Sequence, residues 1–238
     1  MAITLFEPNE SFRPFPDPED VFAEQVLEHR EVLLPLASLD LSFVDPALVG
    51  TVHFIHPIEP MDGYVGDGGE GAFNYLCRPN WVGYRYTRDR CRVATSFDYF
   101  ALPRWRAQLA SPKPQETWLH DEMTELERHY EEMRVGFAEN RAYFEAHGAL
   151  CWPLRGESTD EHRAALAELG GPCREGHWAD EFPLVDEGEE VLPLTEDGRR
   201  FRYIGAVAPL NYVSVHDCTL LLFYDPQTKT ALTTFDWS

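Results

Sequence analysis

The sequence predicts an α+β fold in which a mainly antiparallel sheet packs against one long helix and shorter helices. Short runs rich in Val, Ile, Phe, Tyr and Thr occupy much of 51–100, a strongly periodic segment occupies 115–147, and further strand-like runs close the chain. Strands, then helices, then strands are typical of α+β proteins and not of alternating parallel βαβ units.

Length and composition predict a single domain spanning residues 1–238. Folds of this class with about 200 to 250 residues commonly form one unit. A hydrophobic fraction of 44% is enough to bury a substantial core. We expect the domain to exist as a monomer or a homodimer.

The beginning of the chain predicts an extended arm over 1–18 and then a short helix. Four prolines oppose a helix in the arm, at Pro8, Pro14, Pro16 and Pro18. Asp17 can cap the helix that follows, because the proline after it suits a first helical position. Phe22, Val26 and Leu33 then lie near one side at helical spacing.

Seven runs of β-branched and aromatic residues predict strands. Four precede the long helix, at 51–55, 72–76, 81–87 and 93–99. Three follow it, at 202–207, 219–224 and 230–235. Residues 225–229 are the expected hairpin turn between the last two. A short helix is expected at 159–169, ended by the two glycines that follow it.

The segment 115–147 has the clearest helical pattern in the chain. Its apolar stripe alternates spacings of four and three, at Leu119, Met123, Leu126, Tyr130, Met133, Phe137, Asn140 and Phe144. The other faces are rich in carboxylates, with arginines available for pairs within the helix. Gly148 is the expected end of the helix. We expect the stripe to pack on the sheet; a dimerising coiled coil is the alternative, weakened by the polar Asn140.

The formal net charge is −21, from 41 acidic and 20 basic residues. Such a charge repels nucleic acid and anionic membranes and speeds encounter with cationic partners. We therefore expect a basic protein partner and no direct contact with nucleic acid or membrane; solubility alone is the alternative role of this charge. Five cysteines without a pairing motif and the lack of an apolar run of about 18 residues predict a cytoplasmic protein.

The glycine-rich segment Gly66–Gly71 matches the dinucleotide pattern G-x-G-x-x-G, but its surroundings argue against that function. The pattern requires a helix start behind the last glycine to receive phosphate, whereas 72–76 predicts a strand. Asp67 and Glu70 would also repel phosphate. The sequence therefore predicts a surface loop here.

Two further groups of residues have the composition of a site without its spacing. His53 and His56 form no metal-binding pattern. Residues 214–218 contain Ser, His, Asp and Cys, but they adjoin in sequence, whereas the members of a catalytic triad usually come from distant segments. The sequence predicts no catalytic residue, no metal and no cofactor.

Two acidic regions are the candidate partner-binding surfaces. One is the predicted acidic loop 180–197, and the other is the outer face of the long helix. The candidate contacts in them are Asp186, Glu187, Glu189, Glu190, Glu125 and Glu132. Carboxylates can match the Lys and Arg side chains of a partner and give fast association. Trp178, close to the loop, is a candidate for the desolvated anchor that an interface needs.

An acidic α+β chain with a charged helix, an acidic loop and no catalytic motif resembles, over its whole length, the immunity proteins of bacterial toxin systems, including contact-dependent and type VI secretion systems. The closing stretches 219–226 and 234–238 also look like the ends of bacterial proteins. The resemblance implies stoichiometric inhibition of a cognate toxin. A nuclease is the favoured target, because a nuclease site must be positive to hold phosphate.

Two other functions remain open at this point. One is a small-molecule enzyme, hydrolase-like, with a site near the 66–71 loop and His53 or His56. The other is a general adaptor or structural subunit. A cleft that gathers a histidine with distant carboxylates would favour the enzyme, and an exposed acidic surface would favour the binding protein.

Overall fold

The computed structural model describes residues 3–59, 63–111, 117–150, 153–154, 157–158, 163–179, 182–188, 190–213 and 218–237. These residues form fourteen strands and five α-helices. The strands are β1 (Ile3–Leu5), β2 (Phe12–Pro14), β3 (Leu33–Asp40), β4 (Thr51–Pro57), β5 (Trp81–Thr87), β6 (Arg90–Val93), β7 (Pro153–Leu154), β8 (Glu157–Ser158), β9 (Leu166–Leu169), β10 (Leu184–Asp186), β11 (Val191–Pro193), β12 (Arg202–Val207), β13 (Cys218–Asp225) and β14 (Thr230–Trp237).

The helices are α1 (Pro18–Val21), α2 (Val26–Val32), α3 (Ala101–Leu109), α4 (Thr117–His147) and α5 (Leu210–Val213). Short 3-10 helices also occur at Leu41–Phe43, Glu70–Ala72 and Phe97–Tyr99. The predicted α+β class, with its mainly antiparallel sheets and one long helix, is confirmed.

A seven-stranded antiparallel sheet has the strand order β1-β9-β12-β13-β14-β5-β6. Its centre is the β13–β14 hairpin, paired in register over eight residues of each strand. Because side chains alternate across a strand, Trp81 and Phe223 point to one face of the sheet, and Phe235 and Tyr86 point to the other. All four side chains are buried, so both faces are covered.

The face that carries Phe235 and Tyr86 packs on a second sheet, of order β2-β3-β4. The ring centroids of Phe235 and His56 are 5.8 Å apart, and those of Tyr86 and His53 are also 5.8 Å apart. Strand β3 is buried from Leu33 to Leu39. This second sheet is therefore the inner layer of the fold and not a peripheral hairpin.

The opposite face is covered by the described residues of the segment 173–193, namely 173–179, 182–188 and 190–193. The indole of Trp178 and the ring of Phe182 pack on Trp81, with centroid distances of 5.9 and 4.5 Å. After Phe182 the chain forms the β10–β11 hairpin, which pairs Leu184 with Pro193. This segment takes the place of a third layer.

Helix α4 packs beside the three-stranded sheet, and its position confirms the predicted apolar stripe. Phe15, just after β2, contacts Phe137 and Phe144, with ring centroids 5.2 and 5.6 Å away. Asn140, the polar member of the stripe, donates through Nδ2 to the carbonyl oxygen of Tyr212 at 2.9 Å. Gly148 adopts φ of +70° and ends the helix as expected.

The segment predicted as an extended Pro-rich arm, 1–18, contains two short edge strands where the structure describes it. Strand β1 lies at an edge of the seven-stranded sheet, whereas β2 pairs with β3 in the other sheet. The expected single helix with Leu33 on its apolar side is two short helices, and Leu33 already belongs to β3. Pro35 explains the early end, because proline excludes continued helix at and just before its position.

Two of the predicted strands near the glycine-rich segment are also wrong. Residues 72–76 form no strand, because Oδ1 of Asn74 accepts from the backbone N–H of Leu76 at 2.8 Å and of Cys77 at 3.1 Å, which makes a turn. The run 93–99 is strand only at Val93 and continues as a 3-10 helix at its end.

The helix and the loop predicted after α4 both contain strands where the structure describes them. Residues 166–169, the end of the predicted helix 159–169, form β9 because they pair with β1 and β12. The predicted acidic loop 180–197 contains the β10–β11 hairpin. Gly188, with φ of +82°, lies in its turn.

The burial of α4 predicts unequal costs for two substitutions two residues apart. Met133 is 1% exposed and Val135 is 45% exposed. Met133→Ala should lower the free energy of unfolding by about 2–5 kcal/mol, because it leaves a core cavity. Val135→Ala, the matched control, should change it by no more than about 0.5 kcal/mol. Urea unfolding at constant m value measures both, and equal losses would contradict this packing.

Candidate functional site

Arginine contacts link α2 and the residue before α1 to α3 and the long helix α4. The guanidinium of Arg106, on α3, contacts Glu31 at 3.4 Å and Glu127 at 3.2 Å. That of Arg141 contacts Asp17 at 2.8 Å as well as a carboxylate on its own helix. The N-terminal helices and the long helix therefore present one continuous outer surface.

We call this the acidic helical surface and define it as residues 17–31 together with the solvent-facing side of α4. The two segments contain fourteen carboxylates and four arginines. All fourteen carboxylate side chains are exposed. The region therefore has a large excess of negative charge on one side of the molecule.

Two of the predicted contact residues, Glu125 and Glu132, belong to the acidic helical surface. Both pair with Arg128, at 3.4 and 2.8 Å respectively. These are i,i+3 and i,i+4 pairs between exposed side chains, and such pairs contribute little to stability. Arg128 therefore reduces the local charge but does not hold either carboxylate out of reach of a partner.

Apolar side chains are exposed within the acidic helical surface. Leu27 on α2 is 73% exposed, and Val135 on α4 is 45% exposed. One helical turn on either side of Val135 are Glu131, Glu132 and Glu139. An exposed apolar side chain surrounded by charge has the composition of an interface anchor with a polar rim.

The other predicted contacts lie elsewhere in the molecule. Asp186 and Glu187 are exposed at the turn of the β10–β11 hairpin, and Glu190 is half-buried beside it. Arg200 donates through Nη1 to Glu187 at 2.8 Å. Glu189 lies outside the described residues. Because the hairpin and α4 pack against different layers, the structure does not bring these two groups of carboxylates together.

Trp178 is part of the core and not an exposed anchor. Its side chain is 1% exposed, and its ring lies 5.5 Å from that of Phe223. Its Nε1 donates to the carbonyl oxygen of Arg174 at 3.1 Å. The exposed side chain that sequence reasoning missed is Leu27. The sequence signal for Leu27 was its position between Glu24 and Glu28, off the helical spacing of the buried residues around it.

The glycine-rich segment 66–71 is a loop that packs on Tyr99. A Cβ on Gly66, whose φ is +82°, would lie 2.3 Å from the Tyr99 ring. The backbone N–H groups of Asp67 and Gly69 donate within the loop, at 3.0 and 2.9 Å. Arg104 is also committed to the loop, through a 2.7 Å bond to the carbonyl oxygen of Asp67. The segment ends in a three-residue 3-10 helix, so it lacks the helix start of a nucleotide site.

A buried carboxylate, Glu59, joins this loop to the helices. It is 4% exposed and accepts hydrogen bonds from Tyr130 Oη at 2.6 Å, from the backbone N–H of Ala101 and from that of Gly66 at 3.5 Å. Burial raises the pKa of Glu59, and these hydrogen bonds oppose that rise. Since its donors come from α3, α4 and the loop, Glu59 has a structural role at their junction.

His53 is held by two hydrogen bonds between the sheets. Its Nδ1 lies 2.9 Å from Ser38 Oγ, and its Nε2 lies 2.7 Å from the carbonyl oxygen of Asp89. A carbonyl can only accept, so Nε2 carries the proton and Nδ1 accepts from the hydroxyl. Burial lowers the pKa of His53 to about 4. Both ring nitrogens are thus used internally, which does not support a role in proton transfer.

A groove of about 610 Å³ lies over β12–β14 and is lined by Glu168, Asp236 and Cys173 among others. The Tyr203 hydroxyl donates to Glu168 at 2.9 Å, and the backbone N–H of His177 donates to Asp236 at 3.0 Å. Burial raises the pKa of Cys173 to about 12, so its thiol is protonated and a poor nucleophile at neutral pH. The groove is open and lacks a histidine side chain among its described lining residues.

Among the described residues, no group of three or more His, Cys, Asp and Glu side chains could hold a metal ion. Residues 214–217 of the Ser-His-Asp-Cys stretch considered above lie outside the described ranges, and Cys218 is buried at the start of β13.

A search of the described helices for one long and apolar enough to span a bilayer finds none. No family model, no curated protein and no solved structure matches the chain.

The state of His53 predicts a pH dependence of stability. Since its pKa is about 4 when folded and about 6.5 when unfolded, the unfolded chain binds more protons between these values. The contribution of neutral His53 is complete above pH 6.5 and is lost as the pH falls to 4. The free-energy difference between wild type and His53→Gln should therefore shrink by about 3 kcal/mol over this range. Urea unfolding at stepped pH measures it, and a constant difference would contradict the assignment.

Proposed function

We propose that this chain binds a basic protein through the acidic helical surface and inhibits it stoichiometrically, as an immunity protein neutralises its cognate toxin. The observation that carries the proposal is the set of fourteen exposed carboxylates around exposed Leu27 and Val135. The profile of the whole chain, with its resemblance to bacterial immunity proteins, adds support.

The dimensions of the acidic helical surface suit such an interface. The 31 residues of α4 rise about 1.5 Å each, which makes the helix about 45 Å long. Residues 17–31 are linked to this helix through Arg134 and Arg141 and add further exposed carboxylates. A partner contributes about 800 Å² to an interface of standard size, and in this proposal α4 and residues 17–31 together supply that area.

Charge then explains how inhibition follows from binding. A nuclease toxin must present a positive cleft to hold phosphate. A negative surface accelerates the encounter with that cleft, and exclusion of water around Leu27 and Val135 prolongs the complex. The inhibitor covers the cleft and performs no chemistry, which agrees with the internal use of His53 and Glu59.

Solubility alone would be served by charge dispersed over the whole protein surface. It does not explain why so many carboxylates lie on the acidic helical surface. A surface that only repels other molecules has no need of exposed leucine and valine among its carboxylates. The grooves beside Asp197, over β12–β14 and beside Asp45 have no histidine among their described lining residues, so they give the enzyme alternative no support.

Charge reversal at Glu132→Arg and Glu139→Arg, on either side of Val135, tests the proposal. A basic partner encoded beside this chain, co-purified at low salt, should lose at least about 100-fold in affinity for the double variant, because two attractive contacts become repulsive. Its inhibition should fall in parallel. Titration calorimetry and the activity of the partner measure both effects, and circular dichroism verifies that α4 is intact.

The matched control reverses two carboxylates of the hairpin region, Asp186→Arg and Glu190→Arg. This variant should bind the partner as wild type does, apart from the small effect of net charge. Loss of binding in the control with normal binding in the α4 variant would move the interface to the hairpin. Failure to retain any stoichiometric partner at either low or moderate salt would reject the inhibitor proposal.

A further inference from the structure

Strand β6 is an edge of the seven-stranded sheet, and the segment 22–29 covers that edge. The backbone N–H of Ala23 donates to the carbonyl oxygen of Cys91 at 2.8 Å. Two residues along β6, the backbone N–H of Val93 donates to Nε2 of His29 at 3.1 Å. The segment thus satisfies polar groups on the outer side of β6 that a further strand would otherwise pair, and it blocks edge-to-edge association.

The hydrogen bonds of His29 determine its tautomer. A backbone N–H can only donate, so Nε2 must be the unprotonated acceptor. Nδ1 then carries the proton and donates to the carbonyl oxygen of Gln25 at 2.8 Å. The ring is 1% exposed and stacks on Phe22 at a centroid distance of 4.5 Å. The contact with β6 therefore requires neutral imidazole.

We propose that His29 is a proton-controlled latch that holds α1 and α2 on strand β6 when neutral and releases them when protonated. A proton from solvent on Nε2 converts the acceptor into a second donor. That N–H would point at the N–H of Val93, and the hydrogen bond would be replaced by repulsion between two donors. The buried ring would also carry an unpaired charge, which favours its exposure to water.

The charged groups around His29 are distributed unevenly. Glu24 and Glu28, from its own segment, favour the charged ring, but Glu24 also pairs with Arg92 of β6 at 3.2 Å. From β6, Cys91 is buried with a raised pKa and stays uncharged. The 3-10 helix 97–99 contributes the Phe97 ring at 4.9 Å and carries one carboxylate, Asp98.

Strand β3, which continues from α2, has no ionisable side chain before Asp40. Burial is the largest influence and lowers the pKa of His29 below 6.5. The latch is therefore closed at neutral pH, and opening becomes easier as the pH falls below 6.5.

Release of this segment would change the acidic helical surface, because residues 17–31 contribute six of its fourteen carboxylates. Weaker partner binding in acid follows if the proposed function is correct. The latch itself does not rest on that function, and its test needs no partner.

Hydrogen exchange of the full chain at pH 7.5 and pH 5.0, corrected for intrinsic exchange rates, tests the latch. At pH 5.0 the imidazole of His53, with its pKa of about 4, remains neutral. Protection of the amides of Ala23 and Val93 should fall at least tenfold relative to residues 219–224 of the central strand β13. The His29→Gln variant, whose amide oxygen can accept from Val93 but does not titrate near neutral pH, should keep the same protection at both values.

In His29→Ala, the control without an acceptor at this position, the amide of Val93 should lack protection from hydrogen exchange at both pH values. Unchanged wild-type protection at pH 5.0, or the same pH response in His29→Gln, would overturn the proposal. If both variants are unfolded, an NMR titration of the wild type decides: the ring of His29 and the amide of Val93 should shift with one midpoint. Different midpoints would reject the latch.

Discussion

Burial of both faces of the seven-stranded sheet is the constraint on which the rest of this structure depends. Its central strands place Trp81 and Phe223 on one side and Phe235 and Tyr86 on the other. Each face must be covered, because large aromatic side chains contribute to stability only when water is excluded. The three-stranded sheet covers one face, and residues 173–193 cover the other. The exposed carboxylates of α1, α2, α4 and the β10–β11 hairpin consequently lie on the outside of these covering layers.

The interior contains polar groups with structural functions. Glu59 receives donors from α3, α4 and the 66–71 loop, His53 bridges Ser38 and the turn after β5, and Asn140 caps a carbonyl of α5. A buried polar group costs free energy unless it is hydrogen-bonded, so each fixes the relative position of the elements it joins. Histidine is also a residue type that catalysis uses, which is why the sequence alone left His53 open as part of an enzyme site.

Helices α1 and α2 belong both to the acidic helical surface and to the segment that covers the edge strand β6 through His29. The same short helices supply carboxylates to the acidic helical surface and cover the outer side of β6. Arg92 and Glu24 add an exposed ion pair at the same place, a kind of pair that contributes little to stability. Contacts of Arg106 and Arg141 link this segment to α3 and α4. Its attachment to β6 depends mainly on burial of Phe22 and on the hydrogen bonds of Ala23 and His29. Those hydrogen bonds are few, and one of them depends on the protonation state of a histidine.

The sequence by itself determined the elements whose signal is local. The period of 3.6 residues in 115–147 predicted α4, and runs of β-branched and aromatic residues predicted β4, β5, β12, β13 and β14 within one or two residues. It also determined the charge. Only the tertiary structure decided that 166–169 is a strand, because that depends on pairing with β1 and β12. The covering layer likewise buries Trp178, whereas the packing of α2 leaves Leu27 exposed. Hydrophobicity is a property of a residue, but exposure is a property of its neighbours in space. The sequence therefore predicted the acidic outer face of α4, and only the structure linked residues 17–31 to it.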